Sequence, residues 1–137
     1  MPVLDANVLI AEAIHHDTNH PAASAWIRRQ VAEGRQSLLA PVILLAEVAG
    51  AVRRATGSEM DAQRAVDKIL GSGLVQLVPL DLGLAEGSAR LAAAAQLRGC
   101  DAIYAALAAS LDDLLVTFDR QLAERAAMFV PVEIPRA

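Results

Sequence analysis

Apolar residues fall along this chain in two patterns: short unbroken runs, and longer stretches in which they recur every three or four positions. The first pattern suits strands buried on both faces, and the second suits helices with one packed side. Residues 2–4 form the first such run and 7–14 the first helix. A helix over 20–33 follows, with Pro21 in its first turn, Trp26, Ile27 and Val31 on its apolar side, and Gly34 at its end. Residues 37–40 predict a second strand, and Pro41 opens a helix to about residue 55 that Gly57 closes. Ser58-Glu59-Met60-Asp61 resembles a capping box with Asp in place of the usual Glu or Gln. It starts a helix to about residue 70, broken by Gly71 and Gly73. A third strand spans 74–80, and Asp81 caps an alanine-rich helix over 82–97. Gly99-Cys100-Asp101 is a sharp break before 102–109, a helix so apolar that it must be central to the fold. A turn at Asp112-Asp113 leads into a fourth buried strand over 114–117, and a helix runs from 119 to about 127. Residues 130–134, with Pro131 and Pro135 at the ends, read as an edge strand. This alternation predicts an α/β sandwich with a mostly parallel sheet.

A chain of 137 residues is long enough for one domain over 1–137 and too short for two ordinary ones. The 55% hydrophobic content raises the question of a membrane, but no stretch approaches the roughly 18 to 20 consecutive apolar residues of a spanning helix. Cys100 has no second cysteine to pair with, and the first residues enter a strand without the basic region and cleavage site of a signal peptide. A soluble, cytoplasmic protein is expected. Apolar content this high also suggests surface buried against another subunit or partner. The net charge is −4, and the aromatic residues are Trp26, Tyr104, Phe118 and Phe129. A general nucleic-acid binder shows a basic footprint and stacking platforms, and this composition offers neither. If RNA or DNA is handled here, bound cations and a few local arginines supply the positive charge.

The candidate chemistry lies in acidic residues set among apolar ones. Asp5 follows the first strand, where an ionised carboxylate is costly without a compensating partner. Glu47 lies within the apolar helix after the second strand; it is either turned toward a cation or paired with Arg53 or Arg54 about two turns on. Asp101 stands at the start of the central helix and Asp119 just beyond the fourth strand, so capping is an alternative for each, as it is for Asp5. In a parallel sheet ligands bind at the carboxyl ends of the strands, and all four can meet there. Such a cluster repels itself unless neutralised, and hard divalent cations with oxygen ligands, Mg²⁺ or Mn²⁺, are the natural neutraliser. Carboxylates holding one or two such ions form a standard apparatus for phosphodiester hydrolysis. His15, His16 and His20 fall at no zinc-like spacing with other ligands, and Asp61, Asp67, Asp81 and Glu86 have cap or solvent explanations. Arg53, Arg54, Arg98 and Arg120 flank the acidic positions and are candidate RNA contacts, with solvated helix ends as the alternative.

Leu4-Asp5-Ala6-Asn7, Leu45-Ala46-Glu47-Val48, the run from Asp101 to Ala108 and Leu115-Val116-Thr117-Phe118-Asp119 together resemble the PIN-domain nucleases, in particular the VapC-type toxins of toxin–antitoxin pairs. The resemblance spans nearly the whole chain. It implies a three-layer α/β/α sandwich with a central parallel sheet, a metal-dependent endoribonuclease acting on RNA, a homodimer and inhibition by a small antitoxin. It also implies that Asp5, Glu47, Asp101 and Asp119 are the metal ligands and that Asn7 and Thr117 support them. Haloacid-dehalogenase-type phosphatases are disfavoured because Asn7 stands where their second Asp is needed. A receiver-like domain is disfavoured because Lys68, the one lysine, lies in a helix rather than after a late strand. A PIN nuclease of RNA processing or decay without an antitoxin stays open, as does a non-catalytic binding module whose carboxylates are caps and salt bridges.

Overall fold

The computed structural model describes residues 1–34 and 37–137. Its strands are β1 (Val3–Leu4), β2 (Leu38–Pro41), β3 (Val75–Val78), β4 (Leu115–Val116) and β5 (Val132–Glu133). They form one sheet in the order β3-β2-β1-β4-β5, with every neighbouring pair parallel. The connecting helices are α1 (Ala6–Ala13), α2 (His20–Ala32), α3 (Leu44–Thr56), α4 (Glu59–Ser72), α5 (Leu82–Ala95), α6 (Gly99–Ser110) and α7 (Arg120–Ala126). The path from β1 through β2 to β3 steps outward one way across the sheet, and the path from β3 to β4 and β5 steps the other way. Right-handed crossovers therefore put α1–α4 on one face and α5–α7 on the other. The packing agrees: α1 lies on α2 and α3, α3 on α4, and α5 on α6, while α6 crosses β1, β2 and β4. This is the expected three-layer α/β/α sandwich.

The central strands have no exposed face to spare. Val3, Leu4, Leu38, Leu115 and Val116 are wholly buried, as are Ala102, Tyr104, Ala105 and Ala108 of α6, the helix that packs across β1, β2 and β4. That explains why these strands read as continuous apolar runs and why α6 is apolar almost all round. β5 is an edge strand, as its two prolines predict, and β3 is the other edge. β1 and β4 lie side by side where the direction of the chain across the sheet reverses, which is where a parallel sheet leaves a crevice at its carboxyl edge.

Several elements are shorter than the sequence reading or shifted by a residue or two, and three expected breaks fall elsewhere. Pro41 does not open a helix but ends β2, opposite Val78, and α3 begins at Leu44. The amide that a proline lacks is no loss at the last residue of a strand. Gly71 lies within α4, whose end comes at Gly73 with φ 67°. The break before the central helix lies not at Gly99 but earlier, at Gln96 with φ 56° and extended Arg98, so that Gly99 is already helical. Among the described residues no helix is long and apolar enough to cross a membrane.

Candidate active site

Asp5 leaves β1 and is only 7% exposed. Its Oδ2 accepts a bond from the hydroxyl of Thr117 at 2.7 Å. Thr117 Oγ1 in turn accepts from Asn7 Nδ2 at 3.1 Å and from the Asp119 amide at 3.0 Å. Asn7 completes the lattice by accepting from the Phe118 amide through Oδ1 at 3.1 Å. The end of β1 and the end of β4 are thus stitched together by side chains just where their backbone ladder stops. Of the expected supporting residues, Thr117 bonds to Asp5 directly and Asn7 reaches it only through Thr117.

The other acidic positions gather around this stitch. Asp119 caps α7, accepting from the Leu122 amide through Oδ1 at 3.1 Å, and its Oδ2 stands 3.9 Å from Arg98 Nη2. Asp101, in the first turn of α6, does not cap that helix; its Oδ2 accepts from Arg98 Nε at 3.4 Å. Glu47, in the first turn of α3, makes no ion pair with Arg53 or Arg54 among the described residues. Its Oε1 accepts instead from the hydroxyl of Tyr104 at 2.7 Å. The reading of Glu47 as a partner of those arginines is therefore replaced by a bond across the sheet edge.

The carboxylates feel one another. Burial pushes the Asp5 carboxyl up to about 6; Thr117's bond works against the rise, and the charges of Asp101 and Glu47 reinforce it. The Asp101 carboxyl is raised first by burial, with Arg98 pulling it down and Asp119 pushing it up. Burial also holds the Tyr104 hydroxyl far above the ordinary phenol range, so it is a donor at any working pH, and its bond to Glu47 adds to this. Asp5, Glu47, Asp101 and Asp119 accordingly share one field at the carboxyl edge of β1, β2 and β4.

Among the described residues, no three His, Cys, Asp or Glu side chains are drawn together into a ready-made cation cage. Each of these carboxylates already has a donor: Thr117 for Asp5, Tyr104 for Glu47, the Leu122 amide for Asp119, and Arg98, which Asp101 and Asp119 share. Mutual repulsion favours that arrangement. The donor set is oxygen only and anionic, which fits a hard divalent cation and not a soft one.

Of the arginines, Arg98 faces the cluster directly, although its side chain is 80% exposed. Arg54 folds back over Gly50, with Nη1 at 3.1 Å from where a Cβ would stand there, and Arg53 and Arg120 are exposed. The loop histidines build no metal site: His20 Nδ1 meets the Ala11 carbonyl at 2.8 Å, and His15 stacks beside it. Sequence reasoning gave Tyr104 no role. The available signal was its spacing, three residues after Asp101 and on the same helical face.

A family model described as PIN domain matches residues 3–128. No curated protein matches the sequence. Among solved structures, the chain is similar to VapC20 of Mycobacterium tuberculosis, described as a sarcin–ricin loop cleaving toxin. There the identity is 19% and the TM-score 0.76, over 95% of this chain and 97% of that one. VapBC2 of Rickettsia felis, solved bound to a DNA fragment from its promoter, superposes with a TM-score of 0.75 at 14% identity, over 98% of both chains. A toxin–antitoxin complex from Klebsiella pneumoniae does so with a TM-score of 0.68 at 20% identity, over 99% of this chain and 98% of that one.

Proposed function

The chain belongs to the PIN-domain family, and from that premise we propose that it is a Mg²⁺- or Mn²⁺-dependent endoribonuclease, the toxin of a toxin–antitoxin pair. The observation that carries this reading is the meeting of Asp5, Glu47, Asp101 and Asp119 in one electrostatic field at the carboxyl edge of the sheet. In it, Asp5, Glu47, Asp101 and Asp119 hold the cation. When bound, a divalent cation would supply Lewis acidity, making a water easier to deprotonate and offsetting negative charge on phosphate oxygens.

The protein's own part is orientation and exclusion. Thr117 and Asn7 fix the carboxylate of Asp5, so one ligand arrives already ordered. The cap on α7 fixes Asp119 in the same way. Arg98 offsets part of the negative charge and can turn toward a phosphate when a cation takes its place. An RNA substrate is supported by the description of the Mycobacterium tuberculosis neighbour, and an antitoxin by that of the Klebsiella pneumoniae complex. A groove lined by Leu9, Ala13, Ile27, Ile69, Leu74 and Val75 suits an apolar segment of such a partner. A homodimer and a cytoplasmic place of action complete the proposal.

The test is cleavage of single-stranded RNA by the purified protein with Mn²⁺, with Mg²⁺ and with chelator. Wild type should cut only with metal, and Asp5→Asn, which keeps shape while losing charge, should fold but not cut. Equal rates for the two proteins would refute the assignment. Co-expression with the product of a short neighbouring reading frame then separates a toxin, whose activity is suppressed, from a nuclease of RNA maturation or decay.

A further inference from the structure

Glu47 is the one member of the cluster that enters the site from α3, and its partner enters from the opposite layer. The Tyr104 ring is wholly buried in the core, so packing fixes both of its torsions and with them the place of its hydroxyl. That hydroxyl donates to Glu47 Oε1 at 2.7 Å, across 57 positions of sequence. We propose that Tyr104 is a positioning residue for Glu47, holding one carboxylate oxygen so that the other is presented to the divalent cation of the cluster. This rests on the metal-site reading above.

The geometry favours this over a bond made for stability alone. A buried phenol needs an acceptor, but a backbone carbonyl would meet that need without recruiting a charged side chain. Glutamate has one more rotatable bond than aspartate, and Glu47 is the one Glu among four acidic positions, so it needs external ordering most. Asp5 is ordered by Thr117 and Asp119 by its helix cap. Tyr104 does the same for Glu47, and it lies one turn from Asp101, so a single face of α6 supplies one ligand and orders another. Donors that orient a ligand carboxylate typically govern metal affinity by 10–100-fold.

Calorimetric titration of the metal-free wild type with Mn²⁺ sets the reference. Tyr104→Phe keeps the ring and removes the hydroxyl, and should weaken Mn²⁺ binding about 10–100-fold. In a Glu47→Gln background the same change should alter Mn²⁺ affinity less than about twofold, since the two act through one contact. Unchanged Mn²⁺ affinity in Tyr104→Phe, with only a lower melting temperature, would overturn the positioning role and leave the metal site standing. A wild type that binds no Mn²⁺ would overturn both. A second readout needs no altered fold: Tyr104 is the sole tyrosine, so ¹³C at its Cζ gives one resonance. Saturating the wild type with Mg²⁺ should move that resonance, and in Glu47→Gln it should stay in place. A resonance unmoved as the wild type saturates would contradict the proposal.

Discussion

At Asp5 burial outweighs hydrogen bonding, and the balance has a sign that can be measured. The carboxyl is pushed up to about 6 from an open-chain value of 3.8. Between those two pH values the folded protein keeps a proton that the unfolded chain has released, so the metal-free fold loses stability as pH rises. The loss is complete above about pH 6 and amounts to at most about 3 kcal/mol. In chelator, wild type should therefore lose more stability than Asp5→Asn between pH 5 and 7.5, and the variant should melt higher at pH 7.5. Calorimetry at both pH values checks this; parallel behaviour of the two proteins would place the proton elsewhere. Arg98 is the complementary case. Its exposed guanidinium contributes little to stability, as surface ion pairs do, but it occupies oxygens of Asp101 and Asp119 that a cation would use. Arg98→Ala should leave the melting temperature within a degree or two while tightening Mn²⁺ binding a few-fold. Weaker binding would mean that Arg98 orders those carboxylates rather than competing for them.

The elements around the site were largely legible in the sequence, because buried parallel strands and one-sided helices leave different apolar periods. Asp5, Asp101 and Asp119 could be placed at element ends from those periods alone, and their common edge followed from the alternation of strands and helices. What local pattern could not record was the partner of each. Tyr104 sits among Ala102, Ile103, Ala105 and Ala106 and reads as core, which it is; its acceptor on α3 is set by how two layers meet. The joint between β1 and β4 is a similar case, since Thr117 read as the end of an apolar strand. Its oxygen carries one donated bond and two accepted ones, so nothing else of that size can replace it. Thr117→Val should strand Asp5, Asn7 and the Asp119 amide and destabilise the fold by about 2–4 kcal/mol in urea unfolding. Thr117→Ser should recover most of that. Equal losses in both would trace the cost to the missing methyl and the packing around it.

Taken whole, the molecule is acidic, with a net charge of −4, and on the proposed function its carboxylates gather where an RNA phosphate would come. Attraction must then come from the cation and from arginines at the same edge. Arg120 follows Asp119 into the first turn of α7, and Arg54 folds back over Gly50 along the face of α3 that carries Glu47, with Arg53 beside it. None of these three pairs with Asp5, Glu47, Asp101 or Asp119 among the described residues. They can therefore be removed without disturbing the cluster, which Arg98 cannot. If they contact phosphates, the triple replacement Arg53→Ala, Arg54→Ala, Arg120→Ala should weaken RNA binding at low salt and flatten its salt dependence. Each lost contact removes about 0.7 from the log–log slope for a single strand, so the full set removes about 2. Mn²⁺ affinity should stay at the wild-type value, which separates loss of RNA contact from damage to the metal site. An unchanged slope would take the strand away from α3 and α7, toward a groove that a second copy of the chain completes. Binding slopes measured above and below the concentration at which such a pair dissociates would then differ.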